Sequence, residues 1–330
     1  MARAQIHITD SRMPVISAVT PCLNDAAHLP EMIESFLAQD YPHKELFVQD
    51  GGSTDGSHEI LRRYPIRWSV ARDSGPHDAI NKGILASQGD IIVIMPANDL
   101  FAPGAFSRAV DEFRAKPDVA MVYGDCRILN ENGAVIRIDR PGILDIDYLL
   151  WAHFLLLQSS YIRREVFERV GLFDGTIKGP GDTEWLMRMV AEYPTEAIHY
   201  VPKVWSSYRF AQSLNGVQFC DCAQNARVLL AAHERFLSTA ENCRRLRHGE
   251  ARARAGMHCQ CAFWFSEAGR RPEAWKHLTG AFRQWPGLVF APIGLKYAVK
   301  IMLGRKLTRV ITKCMLRVRA TLNFHSATLD

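Results

Sequence analysis

The chain has 330 residues, of which 48% are hydrophobic and 23% are charged, as in a globular protein with a sizeable core and about two domains. No stretch approaches the ~20 apolar residues of a membrane-spanning helix, and the N-terminus lacks the apolar region of a secretory signal. The eight cysteines are scattered along the chain, which is typical of reduced thiols. These features predict a cytoplasmic protein.

Charge is divided unevenly along the chain. Residues 220–330 hold 19 Lys and Arg against 7 Asp and Glu, a net charge of +12, whereas the whole chain carries +5. Residues 1–219 therefore carry a net charge of −7. An acidic part joined to a basic part predicts two different roles, and the basic part favours an anionic surface such as phospholipid or nucleic acid.

Strand and helix patterns alternate over the first hundred residues. A strand at 13–21 precedes a helix whose apolar residues recur at helical spacing and which Pro42 ends. Further strands are predicted up to Val48, around 66–71 and at 91–95, with a polar turn and a helix between successive strands. This alternation predicts βαβ units and therefore an α/β fold with a mostly parallel sheet and flanking helices.

Polar residues follow each of these four strands. In such a sheet the carboxyl ends of the strands meet at one edge, where ligands bind. The residues expected at that edge are Thr20, Pro21, Asp50, Gly51, Gly52, Asp73, Asp78 and Asp99. Any one of them alone is typical of a surface loop, but together they predict a site large enough for a nucleotide.

The pattern changes after about residue 120. Residues 119–138 read as a hairpin with its turn at Asn-Glu-Asn-Gly. A glycine-rich loop then leads into a helix whose first turn holds Asp182 and Glu184. After about residue 217 the sequence predicts helices alone.

Each polar motif has a structural and a functional interpretation. The Asp50 carboxylate can accept a hydrogen bond from a nucleobase, with Gly51 allowing a flat ligand close to the backbone, or it can cap the next helix. Asp78, Asn81 and Lys82 surround a helix start that suits phosphate, or they form a solvated helix surface.

The roles of the acids later in the sequence are likewise not decided by their local pattern. Asp99 can hold Mg²⁺ or Mn²⁺ together with nucleotide phosphates, because such ions prefer oxygen ligands. Asp182 can act as a general base or stabilise the dipole of its helix. The pairs Cys220/Cys222 and Cys259/Cys261 do not have the spacing of common zinc sites, so we expect them to be helix residues.

Four segments together carry a family signature: VISAVTPCLND, FVQDGGSTDGS, RDSGPHDAINKGILASQGDIIVIMPANDLFAPGA, and QSSYIRREVFERVGLFD with GDTEWLMRM after it. In order and spacing they resemble the GT-A-fold inverting glycosyltransferases of family 2, and most of all the bacterial enzymes that build cell-surface polysaccharides. The resemblance covers roughly residues 13–215. It implies a Rossmann-like GT-A sheet and transfer of a hexosyl group from a nucleotide-sugar, UDP-linked by expectation, to a glycan or lipid-linked acceptor.

The resemblance also implies roles for individual residues. Those on the nucleotide-sugar side are Thr20, Pro21, Asp50, Gly51, Asp78, Asn81, Lys82 and Asn98. Asp99 would bind the divalent cation and Asp182 would be the catalytic base. Those on the acceptor side or closing the site are Gln158, Glu184 and Arg209.

Three residues depart from the family pattern. Asn98 replaces an acid, Pro96 replaces a common Asn, and Gly181 stands where many members have Glu before the base. These departures bear on metal dependence more than on fold. The implied reaction is a single displacement with inversion, in which Asp182 deprotonates the acceptor hydroxyl and a metal at Asp99 offsets charge on the leaving diphosphate.

Two other functions remain open at this point. A sugar nucleotidyltransferase would need a basic residue in the first loop to stabilise the reacting phosphate, and residues 20–28 offer none suited to it. A degenerate GT-A-fold protein that only binds a nucleotide or a partner is the second alternative. The presence of Asp50, Asp78, Asp99 and Asp182 together favours an enzyme.

The C-terminal region, 218–330, is predicted as a basic helical domain that follows a catalytic domain at 1–217. Residues 250–286 resemble one helix-turn-helix unit of tetratricopeptide type, which would form a small helical cap because one unit makes no solenoid. Residues 300–319 mix apolar and basic side chains, so they either lie on an anionic membrane, at the cytoplasmic face of the inner membrane, or pack with their basic side in water. No nucleic-acid-binding motif accompanies the charge.

Overall fold

The computed structural model describes residues 13–144, 146–149, 157–177, 181–209 and 222–290. These residues fall into two compact units, 13–209 and 222–290. The domain boundary predicted between residues 217 and 218 lies outside the described residues.

In the described part of the first unit, nine strands form one sheet. In chain order they are β1 (Ile16–Cys22), β2 (Lys44–Asp50), β3 (Arg67–Val70), β4 (Ile91–Ile94), β5 (Leu100–Phe101), β6 (Met121–Leu129), β7 (Val135–Asp139), β8 (Ser160–Arg163) and β9 (Ile198–Arg209). Their order across the sheet is β3-β2-β1-β4-β8-β6-β9-β5, and β7 pairs with β6.

The first half of the sheet is parallel. In register, Ile16 of β1 lies opposite Lys44 of β2 on one side and Ile91 of β4 on the other, and β2 pairs with β3 in the same sense. Nearly every residue of β1 and β4 is buried, because helices cover both faces of a parallel sheet and its strands need continuous apolar runs. The predicted α/β fold is confirmed.

The second half of the sheet is mixed. β8 runs antiparallel to both β4 and β6, and β6 runs parallel to β9. β6 and β9 therefore point in the same direction as β4, and their carboxyl ends reach the same edge. The predicted hairpin is confirmed as the antiparallel pair of β6 and β7.

Seven helices accompany the described strands of this unit. They are α1 (Leu29–Leu37), α2 (Ser57–Leu61), α3 (Pro76–Ala86), α4 (Ala105–Ala115), α5 (Ile146–Leu149), α6 (Arg164–Val170) and α7 (Gly181–Glu192). α1 shows why the pattern folds this way: Leu29, Met32, Ile33 and Phe36 share one face and are all buried. Phe36 meets Phe106 edge to face at 5.8 Å between ring centroids, in the cluster that joins α1 and α4 to the sheet.

The second unit is helical throughout its described residues. Its helices are α8 (Cys222–Leu237), α9 (Ala240–Arg244), α10 (Glu250–Glu267) and α11 (Arg271–Gln284). Cys259 and Cys261 are buried residues of α10, as the helical interpretation of that pair predicts. No helix in the described ranges is long and apolar enough to cross a membrane. The basic segment 300–319 lies outside them.

Candidate functional site

Asp99 is brought to the carboxyl edge of the sheet by a short strand. β5 begins immediately after Asp99 and pairs with Ser206 and Ser207 of β9. This pairing places Asp99 beside the end of β9, where the main-chain N–H of Arg209 donates a 2.8 Å hydrogen bond to Asp99 Oδ1. The predicted metal residue and the predicted site-closing arginine are therefore neighbours.

The Asp99 carboxyl is completely buried, at 0% exposure. Its Oδ2 has no hydrogen-bond partner among the described residues. Burial raises the pKa of this carboxyl to about 8; the amide and the charge of Arg209 oppose the shift, and the charge of Asp25 adds to it. A buried carboxylate oxygen without a partner is costly unless a proton or a cation occupies it.

The guanidinium of Arg209 ties three parts of the first unit together. Nη2 donates to Glu31 Oε2 of α1 at 2.7 Å. Nε lies 3.4 Å from the carbonyl oxygen of Asn98, and Nη1 lies 3.5 Å from that of Glu131 in the β6–β7 turn. Asn98 thus contacts Arg209 through its main chain.

Asp50, the last residue of β2, has hydrogen-bond partners for both of its carboxylate oxygens. Its Oδ1 accepts from the amides of Gly52 and Ser53 at 2.8 Å each and lies 2.9 Å from His58 Nε2. Its Oδ2 accepts from Ser53 Oγ at 2.6 Å. Burial alone would raise the pKa of Asp50, but these hydrogen bonds outweigh it and the pKa lies below its usual value. Asp50 is therefore a fixed carboxylate.

The loop after β3 approaches the main chain of Gly51, next to Asp50, closely. A Cβ at position 51 would lie 2.5 Å from Oδ2 of Asp73. Asp73 in turn accepts a 3.0 Å hydrogen bond from the Gly75 amide at the start of α3. The turn after β2 and the loop after β3 are consequently packed against each other at the sheet edge.

The loop after β1 is bonded to the loop after β2. Asn24 adopts a left-handed conformation, with φ of 57°, and its Oδ1 accepts from the Thr54 amide at 2.9 Å. Thr20 is fully buried, with its hydroxyl 3.9 Å from the sulfur of Met32, so its side chain lies in the core. Pro21 is half-buried at the strand end.

The side chains at the start of α3 bond mainly to the protein itself. Asp78 Oδ2 accepts from the Ser74 amide at 2.9 Å and from Lys82 Nζ at 3.1 Å, and these bonds lower the pKa of Asp78. Asn81 exchanges two hydrogen bonds, of 2.7 and 3.0 Å, with the backbone of Phe173. Asn81 therefore joins α3 to the segment before α7.

Asp182 lies in the first turn of α7 and is half-buried. The residue before it, Gly181, packs directly against His77: a Cβ at position 181 would lie 2.6 Å from the imidazole ring. This packing fixes the main chain next to Asp182. That imidazole stacks on Phe173 at 5.6 Å and lies 3.2 Å from the carbonyl oxygen of Ile177. The start of α7 is thereby held against the start of α3.

The two remaining predicted residues have distinct surroundings. Glu184 forms a bidentate ion pair with Arg188, at 2.9 Å for the shortest contact, and Arg188 also donates to the carbonyl oxygens of Val170 and Leu172. Gln158 is buried before β8, and its Nε2 has no hydrogen-bond partner within the described ranges. Gln158 thus retains an unmet donor at the sheet edge.

Four side chains at this edge have contacts that the sequence patterns do not indicate. They are Asp25, Glu31, His58 and Asp125. Asp125 is a buried acid within β6 that accepts from the Tyr200 hydroxyl at 2.6 Å. The signal for Asp125 is an acid within the predicted hairpin strand, whereas nothing local distinguishes Glu31 from the other acid of α1, Glu34.

Asp99 fits a cation that is held partly by another ligand. Its unpartnered, buried Oδ2 suits a hard divalent ion, but the described residues contain no group of three or more His, Cys, Asp or Glu arranged to hold a metal. A divalent ion at Asp99 would therefore need further ligands, such as phosphate oxygens, beyond those that the described residues supply.

Comparison with known sequences finds a family whose pattern matches slightly less than half of this chain. Residues 17–171 match the family described as Glycosyl transferase family 2. The protein y4gI of Sinorhizobium fredii is 32% identical over 210 residues, 59% of this chain but only 22% of y4gI. A PGL/p-HBAD biosynthesis glycosyltransferase of Mycobacterium bovis is 27% identical over 202 residues, 59% of this chain and 77% of that protein.

Solved structures support the same fold. TarS of S. aureus, residues 1–349, superposes with a TM-score of 0.61 at 16% identity, covering 84% of this chain and 82% of TarS. The mannosyltransferase PcManGT of Pyrobaculum calidifontis, in complex with GDP-Man and Mn²⁺, superposes with a TM-score of 0.54 at 20% identity, covering 88% of each chain. TarS has also been solved with UDP-GlcNAc. At these identities the similarity concerns the fold.

Proposed function

We propose that this chain, whose residues 17–171 match the family described as Glycosyl transferase family 2, transfers a sugar from a nucleotide-sugar to a hydroxyl group of a glycan or lipid-linked acceptor, with inversion. The observation that carries this proposal is the Asp99 carboxyl at the edge where the parallel strands end, which is buried and has one oxygen without a partner among the described residues. A site for a diphosphate-bound cation explains why an acid is kept in so costly a position.

The donor would lie along the carboxyl edge of the sheet. Asp50, fixed by its four hydrogen bonds, would accept from the nucleobase, with Gly51 allowing close approach. Asp99 and Asn98 would lie at the diphosphate. Asp78, Asn81 and Lys82 would act mainly by shaping the nucleotide side, since their side chains bond to the protein.

Asp182 is the proposed general base. It would take the proton of the acceptor hydroxyl, whose oxygen attacks the anomeric carbon on the face opposite the diphosphate. The bond from that carbon to the diphosphate oxygen breaks in the same step, so the configuration inverts. A Mn²⁺ or Mg²⁺ ion bound at Asp99 would offset the negative charge of the leaving group.

Two further parts of the proposal concern the nucleotide of the donor and the class of the acceptor. We take UDP as the donor nucleotide; TarS is known with UDP-GlcNAc and PcManGT with GDP-Man, so the assay must compare both. For the acceptor we propose a cell-surface polysaccharide or a glycolipid; the mycobacterial relative is a glycosyltransferase of PGL/p-HBAD biosynthesis. Gln158, whose Nε2 has no partner within the described ranges, is the side chain that we propose to contact the acceptor or the transferred sugar.

The test measures nucleotide binding and nucleotide release by the purified chain with UDP-, GDP- and dTDP-sugars, with Mn²⁺ or with EDTA. Asp182→Asn should lower nucleotide release by ~10²–10⁴-fold and leave the Kd for UDP within about twofold of wild type. Asp99→Ala should remove the stimulation by Mn²⁺. Asp174→Asn is the matched control, because Asp174 is an exposed acid whose carboxylate accepts hydrogen bonds from Thr176 within its own turn.

Three results would contradict the proposal. Failure to bind any nucleotide at millimolar concentration would leave the chain as a partner protein with a GT-A fold. Release of pyrophosphate in place of a nucleoside diphosphate would indicate a nucleotidyltransferase. Full turnover by Asp182→Asn would exclude Asp182 as the base.

A further inference from the structure

Arg209 and Glu31 form an ion pair in which only one partner is exposed. The side chain of Arg209 is 6% exposed and that of Glu31 is 56% exposed, with 2.7 Å between Nη2 and Oε2. A buried guanidinium needs a counter-charge and hydrogen-bond acceptors, and Glu31 supplies the charge from the first turn of α1. The carbonyl oxygens of Asn98 and Glu131 lie at 3.4 and 3.5 Å from the same guanidinium.

Arg209 contacts Asp99 through its main chain rather than through its guanidinium. Its main-chain N–H donates to Asp99 Oδ1, so one end of the residue is fixed on α1 and the other on the buried carboxylate. The end of β9 cannot shift along its axis without breaking one of these contacts. The orientation of Asp99, including that of Oδ2, which has no partner in the described part of the chain, therefore depends on the Glu31 contact.

The pair also sets the local charge. The charge of Arg209 is felt by Asp99, and an uncompensated cation there would repel a divalent ion. Glu31 offsets that charge from the side of α1. Removing the carboxylate would loosen the end of β9 and leave the region around Asp99 more positive.

We propose that Glu31 is a positioning residue: it holds and neutralises Arg209 so that Asp99 presents its free oxygen to a divalent cation. This inference rests on the proposed function, because it requires a cation at Asp99. Glu31 itself touches neither Asp99 nor the reacting atoms and acts through Arg209.

The test titrates Mn²⁺ into the full chain with and without UDP, and measures free Mn²⁺ by electron paramagnetic resonance. Glu31→Gln should raise the Kd for Mn²⁺ about fivefold, the effect of one partly exposed ion pair. UDP binding without metal should not weaken, since the diphosphate would meet more positive charge. A purely structural defect would weaken both.

Two further variants make the test specific. Glu34→Gln is the matched control, because Glu34 lies one turn further on the same helix and bonds to the Tyr64 hydroxyl, and it should leave Mn²⁺ affinity unchanged. In an Arg209→Met background, Glu31→Gln should produce no further change in Mn²⁺ affinity, because its effect passes through Arg209.

The outcomes separate this inference from the proposed function. If wild type binds UDP and Mn²⁺ but Glu31→Gln binds Mn²⁺ as tightly as Glu34→Gln, or still weakens Mn²⁺ binding without Arg209, the positioning role is wrong and the transferase proposal stands. If wild type binds UDP but no Mn²⁺, the inference is also overturned. If wild type binds neither UDP nor any other nucleotide, both fail.

Discussion

Gly181 has no side chain, and the imidazole of His77 fills the space that a side chain would occupy. Many members of the resembled family have Glu at this position, before the acid that we propose as the base. His77 is buried between Phe173 and the start of α7, so the missing carboxylate and the bulky imidazole are complementary. The departure from the family motif thus has a steric cause in a residue about 100 positions earlier.

Gly181→Ala should therefore disturb both stability and catalysis. The new methyl group would meet the His77 ring, and such overpacking lowers the free energy of unfolding by about 1–3 kcal/mol. Because Asp182 is the next residue, we also expect the rate of nucleotide release to fall by roughly ten- to a hundredfold. Thermal unfolding and steady-state assays measure the two effects.

A double-mutant cycle tests whether the clash with His77 causes the effects of Gly181→Ala. In a His77→Ala background the clash is removed, so Gly181→Ala should cost less than about 0.5 kcal/mol there. If the alanine is equally harmful with and without His77, the steric explanation fails. Gly175→Ala is a useful comparison, since its Cβ would lie 3.2 Å from the Asp78 Cβ and would require a smaller adjustment.

Helices α10 and α11 of the second unit are joined by two histidines. His258 Nδ1 of α10 lies 3.2 Å from His277 Nδ1 of α11, and His277 stacks on Phe265 at 5.2 Å. Burial lowers the pKa of His277 to about 4, with further contributions from His258 and Lys276. Burial also lowers the pKa of His258, an effect that Arg254 strengthens and Glu234 opposes.

These shifts predict the sign of a pH dependence. A histidine with a lowered pKa binds fewer protons in the folded state than in the unfolded state between about pH 4 and its ordinary pKa of 6.5. Its stabilising contribution is complete above pH 6.5 and is lost as the pH falls towards 4. Since both rings are half-buried, we expect a loss of about 1 kcal/mol, well below the unscreened value.

The variant His277→Phe keeps the aromatic stack and removes the titrating group. The difference in Tm between this variant and wild type, measured from pH 4.5 to 7.5, should move in favour of the variant as the pH falls below 6.5. His43→Phe, at a residue outside this helix pair, serves as the control. A difference in Tm that stays constant over the whole pH range would exclude titration of the pair.

Over the whole molecule, the parts that follow from the sequence are those governed by local pattern. The strands of the parallel half, α1 and the β6–β7 hairpin follow from apolar spacing and turn residues, as does the helical character of residues 222–284. The contacts of Arg209 do not, because they join residues 31, 98, 99 and 131 through a strand pairing that no local pattern specifies. Likewise, the sequence shows that Asn81 and Lys82 are polar but not that Phe173 and Asp78 already bind them.

The two parts of the chain carry net charges of opposite sign. The net charge is −7 for residues 1–219 and +12 for residues 220–330, and the segment 300–319 is rich in both basic and apolar residues. A lipid-linked acceptor would be presented at a membrane. We therefore expect the chain to bind vesicles containing anionic phospholipid, more weakly as the salt concentration rises.

Replacing Arg305, Lys306, Arg309 and Lys313 by Gln should reduce binding to anionic vesicles at least tenfold, since each basic residue near such a surface contributes ~1 kcal/mol. The control replaces four exposed basic residues of the helical unit, Arg227, Arg244, Lys276 and Arg283, and changes the net charge equally. Cosedimentation with vesicles measures both. Equal losses would mean that overall charge, and not this segment, drives binding; binding by wild type that is insensitive to anionic lipid would exclude an electrostatic membrane contact altogether.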